Sequence, residues 1–592
     1  MDWFNDVWLK EVFANFMAAK IVHPAFPEIN HGLRFLLAHY PSAYEVDRSA
    51  GTNPILQDLG NLKNAGTLYG AIIYMKAPIV MRQLERKIGE EMMRGSLREY
   101  LKKFSFQNAK WDDLIRIIDK RTPQDIAAWS NVWVKTAGMP EYEYNAKGEA
   151  WLAQRCGSDA ALLERLAPTE GVGARAERGR AFFDAHGLPD PKAEAWRYTP
   201  VTEIRAALEH AVPAPAGSPS STVADRPLID ALAGSHGGPR LVFVDGRFSA
   251  ELSDVEATPE GLWIGDAEAL RPRRVPGAPA PQDEPADGFH ALNWAAGSDV
   301  AAVLVDADTH LDVPVHVVHL STAGSTATDA TAGPDATVTH PRTVVRVGAG
   351  STAAVIESFV GTGGPSITNS STRVVAADGA AVTYHRVMSE PAEAIHVGRT
   401  GIEQAARSRV AATSVITDGR IVRNAVDVVL GGDGARSDLS GLYLPTDHQR
   451  HDNVVTVDHV ASHGTSTQRF KGIVDDHGRG SFSGHVIVRH GTVGTDAAQS
   501  NPNLVLTPTA QADTRPWLEI FADDVRCTHG ATVGRLDDDA LFYLRSRGIP
   551  TAQARAMLIA AFAAEVVDSV TPESLREHLS TWLHTRTVEV SS

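Results

Sequence analysis

The chain has 592 residues and a formal net charge of −16 at pH 7. Its length suggests about three to five domains, and its acidity argues against non-specific nucleic-acid binding, because a surface that follows phosphates needs an excess of basic side chains. The two cysteines, Cys156 and Cys527, are too few for a disulfide framework and favour a reducing compartment. Since we find neither a signal-peptide pattern nor an uncharged membrane span, we expect a cytoplasmic protein without a membrane or nucleic-acid partner.

Residues 1–147 carry apolar side chains at helical spacing, for example from Ile72 to Leu84, and are predicted to be mostly α-helical. Composition separates this part from the rest, because eleven of the thirteen lysines lie within it and only Lys192 and Lys471 follow. We interpret the shift as a junction between two coding regions of different base composition, near residues 146–155. The residues leave open whether the fusion is natural or artefactual, and whether the first part folds.

Two segments of this first part resemble zinc peptidases of the aminopeptidase N type. The run W-F-N-D-V-W-L-K-E-V-F-A (3–14) resembles the helix that follows the zinc-binding motif, and Glu11 occupies the position of the third metal ligand. The run I-I-Y-M-K-A-P-I-V-M-R-Q-L-E (72–85) resembles the segment with the family's transition-state tyrosine, which would be Tyr74. The resemblance implies a domain derived from the catalytic domain of such a peptidase.

The family also needs H-E-x-x-H, in which two histidines at i and i+4 hold zinc and the glutamate acts as general base. That motif is absent from the sequence, and one carboxylate cannot build a catalytic zinc site, which takes three protein ligands. Lys10 and Val12 stand where the family usually has asparagine and glycine. We therefore interpret residues 1–147 as a truncated fragment with vestigial positions at Glu11 and Tyr74, and expect neither zinc nor peptidase activity. The alternative is a remnant or partner-dependent zinc aminopeptidase with a β-helix appendage.

Residues 148–225 predict a small helical domain. The run R-G-R-A-F-F-D-A-H-G (178–187) is typical of a helix that stops at Gly187. A linker is predicted from Ala211 to Pro219, where alanine and proline alternate.

The periodicity changes to short β-type runs between residues 226 and 535, punctuated by glycine, aspartate and asparagine. The clearest runs are Leu241–Val244, Thr343–Val347, Val426–Leu430, Val454–Val457 and Val486–Val488. Many short strands with little helical pattern predict a β-solenoid or a large sandwich, and the residues alone leave both open. Within this region, residues 321–339 predict a loop, and G-R-G-S-F-S-G (478–484) is interpreted as a β-turn rather than a hydrolase elbow.

Residues 536–592 again predict helices. Asp537–Asp539 place carboxylates at a helix N-terminus, and Thr551 is a candidate cap for the next helix. That helix carries an apolar stripe of Leu558, Phe562 and Val566. Periodicity alone favours packing of the stripe on the protein's own β core.

The stretch from Thr514 to Gly548 holds Cys527 two residues before His529. In an extended segment, residues i and i+2 point to the same face, so this thiol and imidazole can approach one site together. They form a usable metal-ligand or redox pair. The alternative for an isolated C-x-H is an ordinary buried cysteine beside a turn histidine.

This stretch resembles the C-terminal signature of the SufD family, a subunit of the Suf iron–sulfur cluster assembly machinery. The run G-L-P-D-P-K-A-E-A-W-R-Y-T-P-V (187–201) resembles the family's N-terminal motif. Between them lie the matching runs H-P-R-T-V-V-R-V-G (340–348), H-D-N-V-V-T-V-D-H (451–459), Q-R-F-K-G (468–472), G-R-G-S-F-S-G-H-V-I-V (478–488) and D-A-A-Q-S-N-P-N-L-V-L (496–506). The resemblance covers about residues 171–592.

The resemblance implies a mainly β fold, with a right-handed parallel β-helix over residues 226–535 between helical domains at 148–225 and 536–592. It implies a non-enzymatic scaffold subunit that acts with a SufB-like subunit, and with a SufC-like ABC ATPase docked on the C-terminal helices. Cys527 and His529 would lie at the SufB interface, at positions that the family associates with a transient iron–sulfur cluster. Whether iron, a flavin or a persulfide binds this subunit, and the stoichiometry of the complex, stay open.

Overall fold

A computed structural model of the chain divides into two compact units, Met1–Glu149 and Ala150–Ser592. The described residues are 9, 12, 13, 16, 17, 35, 39, 43, 54–56, 72–105, 109–122, 125–136, 162–163, 174–214, 224–255, 258–266, 284–297, 299–322 and 336–589. No helix within these ranges is long and apolar enough to cross a membrane.

The first unit is helical where it is described, as the sequence predicts. A π-helical turn, Ile72–Lys76, leads into α1 (Ala77–Ile88), which is followed by α2 (Glu90–Lys103), α3 (Trp111–Asp119) and α4 (Ile126–Trp133). Leu84, Leu114 and Ile118 are fully buried where these helices meet. Asp125 caps α4 by accepting a hydrogen bond from the backbone N–H of Ala128.

The second unit begins with helices that pack against its β core. They are α5 (Ala174–His186), a 3-10 turn (Glu194–Trp196), α6 (Val201–His210), α7 (Arg226–Ala233) and α8 (Gly288–Ala296). Gly187 ends α5 with a φ of +62°, as predicted. Gly179 lets α5 approach α8 closely, because a Cβ there would lie 2.7 Å from the Cβ of Trp294. The last two helices lie inside the region where the sequence shows only strands.

The β core consists of 21 described strands in two sheets, and from β8 onward successive strands alternate between the sheets. In chain order these are β1 (Val212–Pro213), β2 (Arg240–Val244), β3 (Arg247–Phe248), β4 (Leu262–Asp266), β5 (Val300–Val305), β6 (Val315–Ser321), β7 (Thr337–Thr339), β8 (Arg342–Val347), β9 (Thr352–Gly361), β10 (Ser366–Ala376), β11 (Ala381–Ser389), β12 (Ile395–Gln404), β13 (Arg409–Ile416), β14 (Ile421–Leu430), β15 (Arg436–Tyr443), β16 (Arg450–His459), β17 (Thr465–Val474), β18 (Arg479–Val488), β19 (Thr495–Val505), β20 (Gln511–Ile520) and β21 (Val525–Gly534). The even strands from β8 to β20 form the first sheet together with β1, β4, β5 and β7, and the odd strands from β9 to β21 form the second together with β2, β3 and β6.

This arrangement is a parallel β-helix, so the solenoid prediction is confirmed and the sandwich alternative is wrong. Along the path from β5 and β6 onward, neighbouring strands in each sheet pair in parallel. Successive coils lie 29 residues apart at Arg450 and Arg479. Inward-facing side chains stack in columns along the axis, such as Val428, Val457 and Val486, all at most 1 % exposed. Each of the five predicted runs lies within a strand, and each of these strands is longer than the predicted run.

The C-terminal helices are α9 (Asp538–Ser546), α10 (Thr551–Val567) and α11 (Glu573–Glu589). The last two cover the outer face of the second sheet, where Ile559 and Leu579 pack against strand residues such as Ile473. Of the predicted stripe, Val566 is buried and Phe562 packs half-buried against the same cluster, whereas Leu558 is half-buried and not part of it. The buried face of α10 therefore lies beside the predicted stripe and includes Ile559.

Lys471 joins α10 to the β-helix. Its ammonium group donates to the Phe562 carbonyl at 2.9 Å, lies 4.6 Å from the centre of that ring, and pairs with Glu565. This contact explains the lysine of the Q-R-F-K-G run.

Asp537 caps α9 through the backbone N–H groups of Asp539 and Ala540, at the N-terminus where carboxylates were predicted. The prediction that Thr551 caps α10 is wrong, because Pro550 is the N-cap residue and Thr551 is already helical.

Two interpretations of the β region are corrected by the structure. The G-R-G-S-F-S-G run is not a turn: Arg479 to Gly484 form the first half of β18, with Phe482 fully buried. The predicted loop at 321–339 is bounded by strands, because Ser321 ends β6 and Thr337–Thr339 form β7. Residues 323–335 of that loop lie outside the described residues.

Candidate functional site

The last coil of the β-helix ends in open strand edges. Strands β20 and β21 terminate the two sheets, and in the described part of the chain no further strand pairs with their outer edges. Apolar side chains are exposed beside these edges, with Ile520 40 %, Phe521 44 % and Val533 53 % exposed. Exposed, partly apolar edges are templates for pairing with another chain.

Cys527 and His529 lie on β21, in this last coil. They are the register partners of Ala497 and Gln499 on β19, which are 1 % and 4 % exposed. Register partners on parallel strands face the same side of a sheet, so Cys527 and His529 continue two interior columns of the β-helix. Because no described coil covers them, Cys527 is only half-buried and His529 is exposed.

The Cys527 thiol sits in a partly apolar environment beside Val486, Val488 and Ala497. Burial raises the pKa of the thiol above its ordinary value, with a smaller opposing effect from a hydrogen bond with the backbone of Ala497. The protein therefore does not activate this cysteine as a thiolate by itself. A metal ion that arrived at the site would favour deprotonation, since it binds thiolate rather than thiol.

The layer beneath His529 consists of glutamines. Gln499 Nε2 donates to Gln468 Oε1 at 2.9 Å, while Gln499 Oε1 is buried without a partner. The hydroxyl of Thr514 on β20 is also buried without a hydrogen-bond partner. The last coil thus presents polar groups at the open end of the β-helix. An end that only had to be covered would be expected to carry apolar side chains there.

Within the described ranges, no three His, Cys, Asp or Glu side chains converge as a metal site would require. Cys527 and His529 can therefore supply at most two ligands, and a cluster or metal at this edge needs further ligands from elsewhere. Of the peptidase positions, Glu11 and the other cysteine, Cys156, lie outside the described residues. Tyr74 is half-buried in the π-helical turn that precedes α1.

A buried ionic network in the β-helix interior was missed by the sequence analysis. Glu357 on β9 and Arg386 on β11 are fully buried, with Glu357 Oε2 3.5 Å from Arg386 Nη1. Glu357 also accepts hydrogen bonds from Thr372, at 2.8 Å, and from Tyr384. His319 Nε2 lies 3.3 Å from its other oxygen.

The network holds Glu357 ionised. Burial alone raises the pKa of this carboxyl, but the hydrogen bond from His319 and the charge of Arg386 outweigh it and lower the pKa to about 2. Arg386 is held in turn by Ser370 at 2.6 Å and Thr400 at 3.0 Å. The partners in this network lie 14 to 38 residues from Arg386 or Glu357 along the chain, so no local sequence pattern signals them.

Two family models match the chain. One is described as "SUF system FeS cluster assembly, SufBD core domain" and matches residues 328–562. The other is the Peptidase family M1 domain, which matches residues 1–133. The two matches do not overlap, and they fall in the second and the first compact unit respectively.

Three relatives illustrate the same division. The iron–sulfur cluster assembly protein SufD of Escherichia coli K12 is 30 % identical over 395 residues, covering 66 % of this chain and 88 % of the relative. An iron–sulfur cluster assembly SufBD family protein of Synechocystis is 30 % identical over 414 residues, covering 68 % and 88 %. Aminopeptidase N of Streptomyces lividans is 30 % identical over 154 residues, covering 25 % of this chain and 18 % of the relative.

The second unit is thus a parallel β-helix that ends in an open coil carrying Cys527 and His529. The chain belongs to the SufBD family of iron–sulfur cluster assembly proteins, and its second unit is SufD-like. That unit is fused behind a region similar to part of an M1 peptidase.

Proposed function

We propose that the second unit works in a complex with a SufB-like subunit and a SufC-like ABC ATPase in the cytoplasm. The observation that carries this proposal is the open last coil, with two unpaired strand edges beside exposed apolar side chains. A second β-helix that added its own terminal coil would satisfy the free backbone groups of β20 and β21 and bury Phe521 and Val533. A SufB-like subunit fits because the family model that matches residues 328–562 describes one core domain, named SufBD.

At that interface, His529 and Cys527 are proposed to hold a transient iron–sulfur cluster together with groups from the partner. Thiolate is the usual ligand of such clusters, and imidazole replaces it in some of them. His529 is the stronger candidate because its side chain is exposed at the open end, whereas Cys527 is half-buried. The cluster is cargo that is built and passed on, so two ligands from this chain suffice.

The proposed ATPase docking surface is the exposed face of α9 and the start of α10. Helix α9 has no buried residue, and its Phe542 and Tyr543 are 71 % and 57 % exposed. Met557 on α10 is 46 % exposed. Since the opposite side of α10 and α11 packs on the β-helix, this cluster can bind a partner without releasing the helices from their own core.

Replacing Phe542 with glutamate is expected to release the ATPase from a co-expressed three-protein complex while the SufB-like subunit stays bound. A charge on the docking face opposes burial of the interface, and loss of a buried aromatic anchor costs about 2 kcal/mol or more. Affinity co-purification followed by size-exclusion chromatography measures both contacts. Truncation after Leu536 should also release the ATPase, but it removes α10 and α11 from the second sheet as well, so Phe542→Glu is the sharper test.

The matched control is Val493→Glu, which places a charge on another exposed apolar residue, 44 % exposed, in the turn between β18 and β19. It should leave all three proteins together. Retention of the ATPase by both Phe542→Glu and the truncated chain would refute the assignment of the docking surface.

We propose further that the M1-like region has no peptidase activity and binds no catalytic zinc. The sequence contains no H-E-x-x-H motif, and Glu11 alone cannot complete a site that takes three protein ligands. The purified chain should therefore release no product from aminoacyl-anilide substrates, with or without added zinc. Zinc-dependent hydrolysis that disappears in Glu11→Gln would overturn this proposal and favour the partner-dependent peptidase.

A further inference from the structure

A cavity of about 370 Å³ lies on the outer face of the first sheet, away from the last coil's ligand pair. Its wall is the segment from Arg197 to Pro200, and its floor is the start of strands β14, β16, β18 and β20. Three runs singled out in the sequence meet there: W-R-Y-T (196–199), H-D-N-V (451–454) and G-R-G-S (478–481). The floor includes the start of β20, but Cys527, His529 and the C-terminal helices do not line the cavity.

The floor places two arginines side by side. Arg450 on β16 and Arg479 on β18 are register partners, and neighbouring strands lie about 4.8 Å apart. Like charges directly opposite each other destabilise a sheet. Across the described ranges, no carboxylate lies within ion-pair distance of Arg479, and Arg450 has only Glu203, at 3.7 Å. Glu203 is also paired with Arg420.

Arg197 adds a third guanidinium group from the wall, and no described carboxylate lies within ion-pair distance of it. The two carboxylates that line the cavity are held by neighbours. Asp452 pairs with Arg423 at 2.8 Å and also accepts a hydrogen bond from Ser481. Asp513 accepts a hydrogen bond from Gln511 at 2.9 Å, which leaves its single negative charge in place against the three arginines. The cavity is therefore locally cationic in a chain whose formal net charge is −16.

We propose that this cavity binds a small organic phosphate, with the phosphate group between Arg450, Arg479 and Arg197. Planar guanidinium groups match the oxygens of a phosphate with paired, charge-assisted hydrogen bonds. An anion placed there would offset the repulsion between the two register-paired arginines. Pro200 and Ile421 beside them offer apolar contact for the organic body, and cavities of about 300–1,000 Å³ are typical of small-molecule sites. This inference does not depend on the proposed cluster or ATPase contacts.

The test is titration calorimetry of the full chain with inorganic phosphate and with AMP, in a phosphate-free buffer at fixed ionic strength. Both ligands should bind saturably, and AMP more tightly because of its organic body. Arg450→Gln and Arg479→Gln should each weaken binding by about tenfold or more, since a charged hydrogen bond contributes about 1.5–3 kcal/mol. Malonate, a dicarboxylate, should bind more weakly than phosphate.

Arg436→Gln is the matched control, because Arg436 is an exposed arginine on the second sheet, paired with Asp438 at 2.7 Å. It should leave the affinity unchanged. Without ligand, Arg479→Gln should keep or raise the Tm, since it removes the repulsion with Arg450, and the same concentration of added phosphate should raise the Tm of the variant less than that of the wild type. Absence of saturable phosphate binding, tighter binding of malonate, or equal affinity of the wild type and Arg479→Gln would overturn the proposal.

Discussion

Replacing Arg386 with methionine is expected to lower the free energy of unfolding of the β-helix by about 3–5 kcal/mol. The substitution leaves the Glu357 carboxylate fully buried without its arginine, and breaking one side of a buried ion pair costs this much. It also removes hydrogen bonds to Ser370 and Thr400 and the cation–π contact with Phe359, whose ring centre lies 4.5 Å from the guanidinium carbon. Denaturant titration followed by β-sheet circular dichroism measures the loss.

Arg436→Met is the control, because its ion pair with Asp438 is exposed and such a pair contributes only about 0–1 kcal/mol. The double variant Glu357→Gln, Arg386→Met should recover part of the stability, since it no longer leaves a buried charge unpaired. A loss below about 1 kcal/mol for Arg386→Met alone would show that the buried network does not depend on this arginine.

The type of the main elements could be predicted from the sequence because it follows from local periodicity. The run Val454–Val457 predicts a strand, yet β16 begins four residues earlier, at Arg450. Those first residues, R-H-D-N, are polar and carry no strand signal by themselves. They are strand residues because the coil register pairs each of them with β14 and β18.

The same register explains why the buried ionic network was not predicted. The local sequence predicts Glu357 as a glutamate in a strand, and such a side chain ordinarily faces water. Its partners Thr372, Tyr384 and Arg386 come from other strands of neighbouring coils, and only the stacking of those coils brings them together. No spacing rule along the chain contains that information.

The candidate site was predictable in part. The i, i+2 spacing placed Cys527 and His529 on one face of a strand, and both lie on β21 in columns that continue from Ala497 and Gln499. The spacing did not indicate that this face points into the β-helix, or that β21 ends its sheet. Those facts depend on the number of coils, which sequence periodicity did not fix.

Replacing His529 with alanine is expected to reduce iron–sulfur cluster formation strongly in the complex with the SufB-like and SufC-like subunits, without dissociating it. The exposed imidazole adds little packing, so its loss should spare the assembly, whereas a lost ligand is not replaced. Cluster content is measured by visible absorption and iron analysis of the complex purified without oxygen. Loss of a group that only supports a ligand typically weakens metal binding by about 10–100-fold, and loss of the ligand itself should weaken it at least as much.

Cys527→Ser should have a similar or smaller effect, because the hydroxyl keeps most of the volume while the soft sulfur donor is lost. The control is His477→Ala, which removes another exposed histidine, in the turn between β17 and β18. It should leave the cluster content unchanged. Size-exclusion chromatography separates the two possible causes of a loss, since a structural role for His529 would dissociate the SufB-like subunit as well. Full cluster content in an intact His529→Ala complex would refute the ligand role of this histidine.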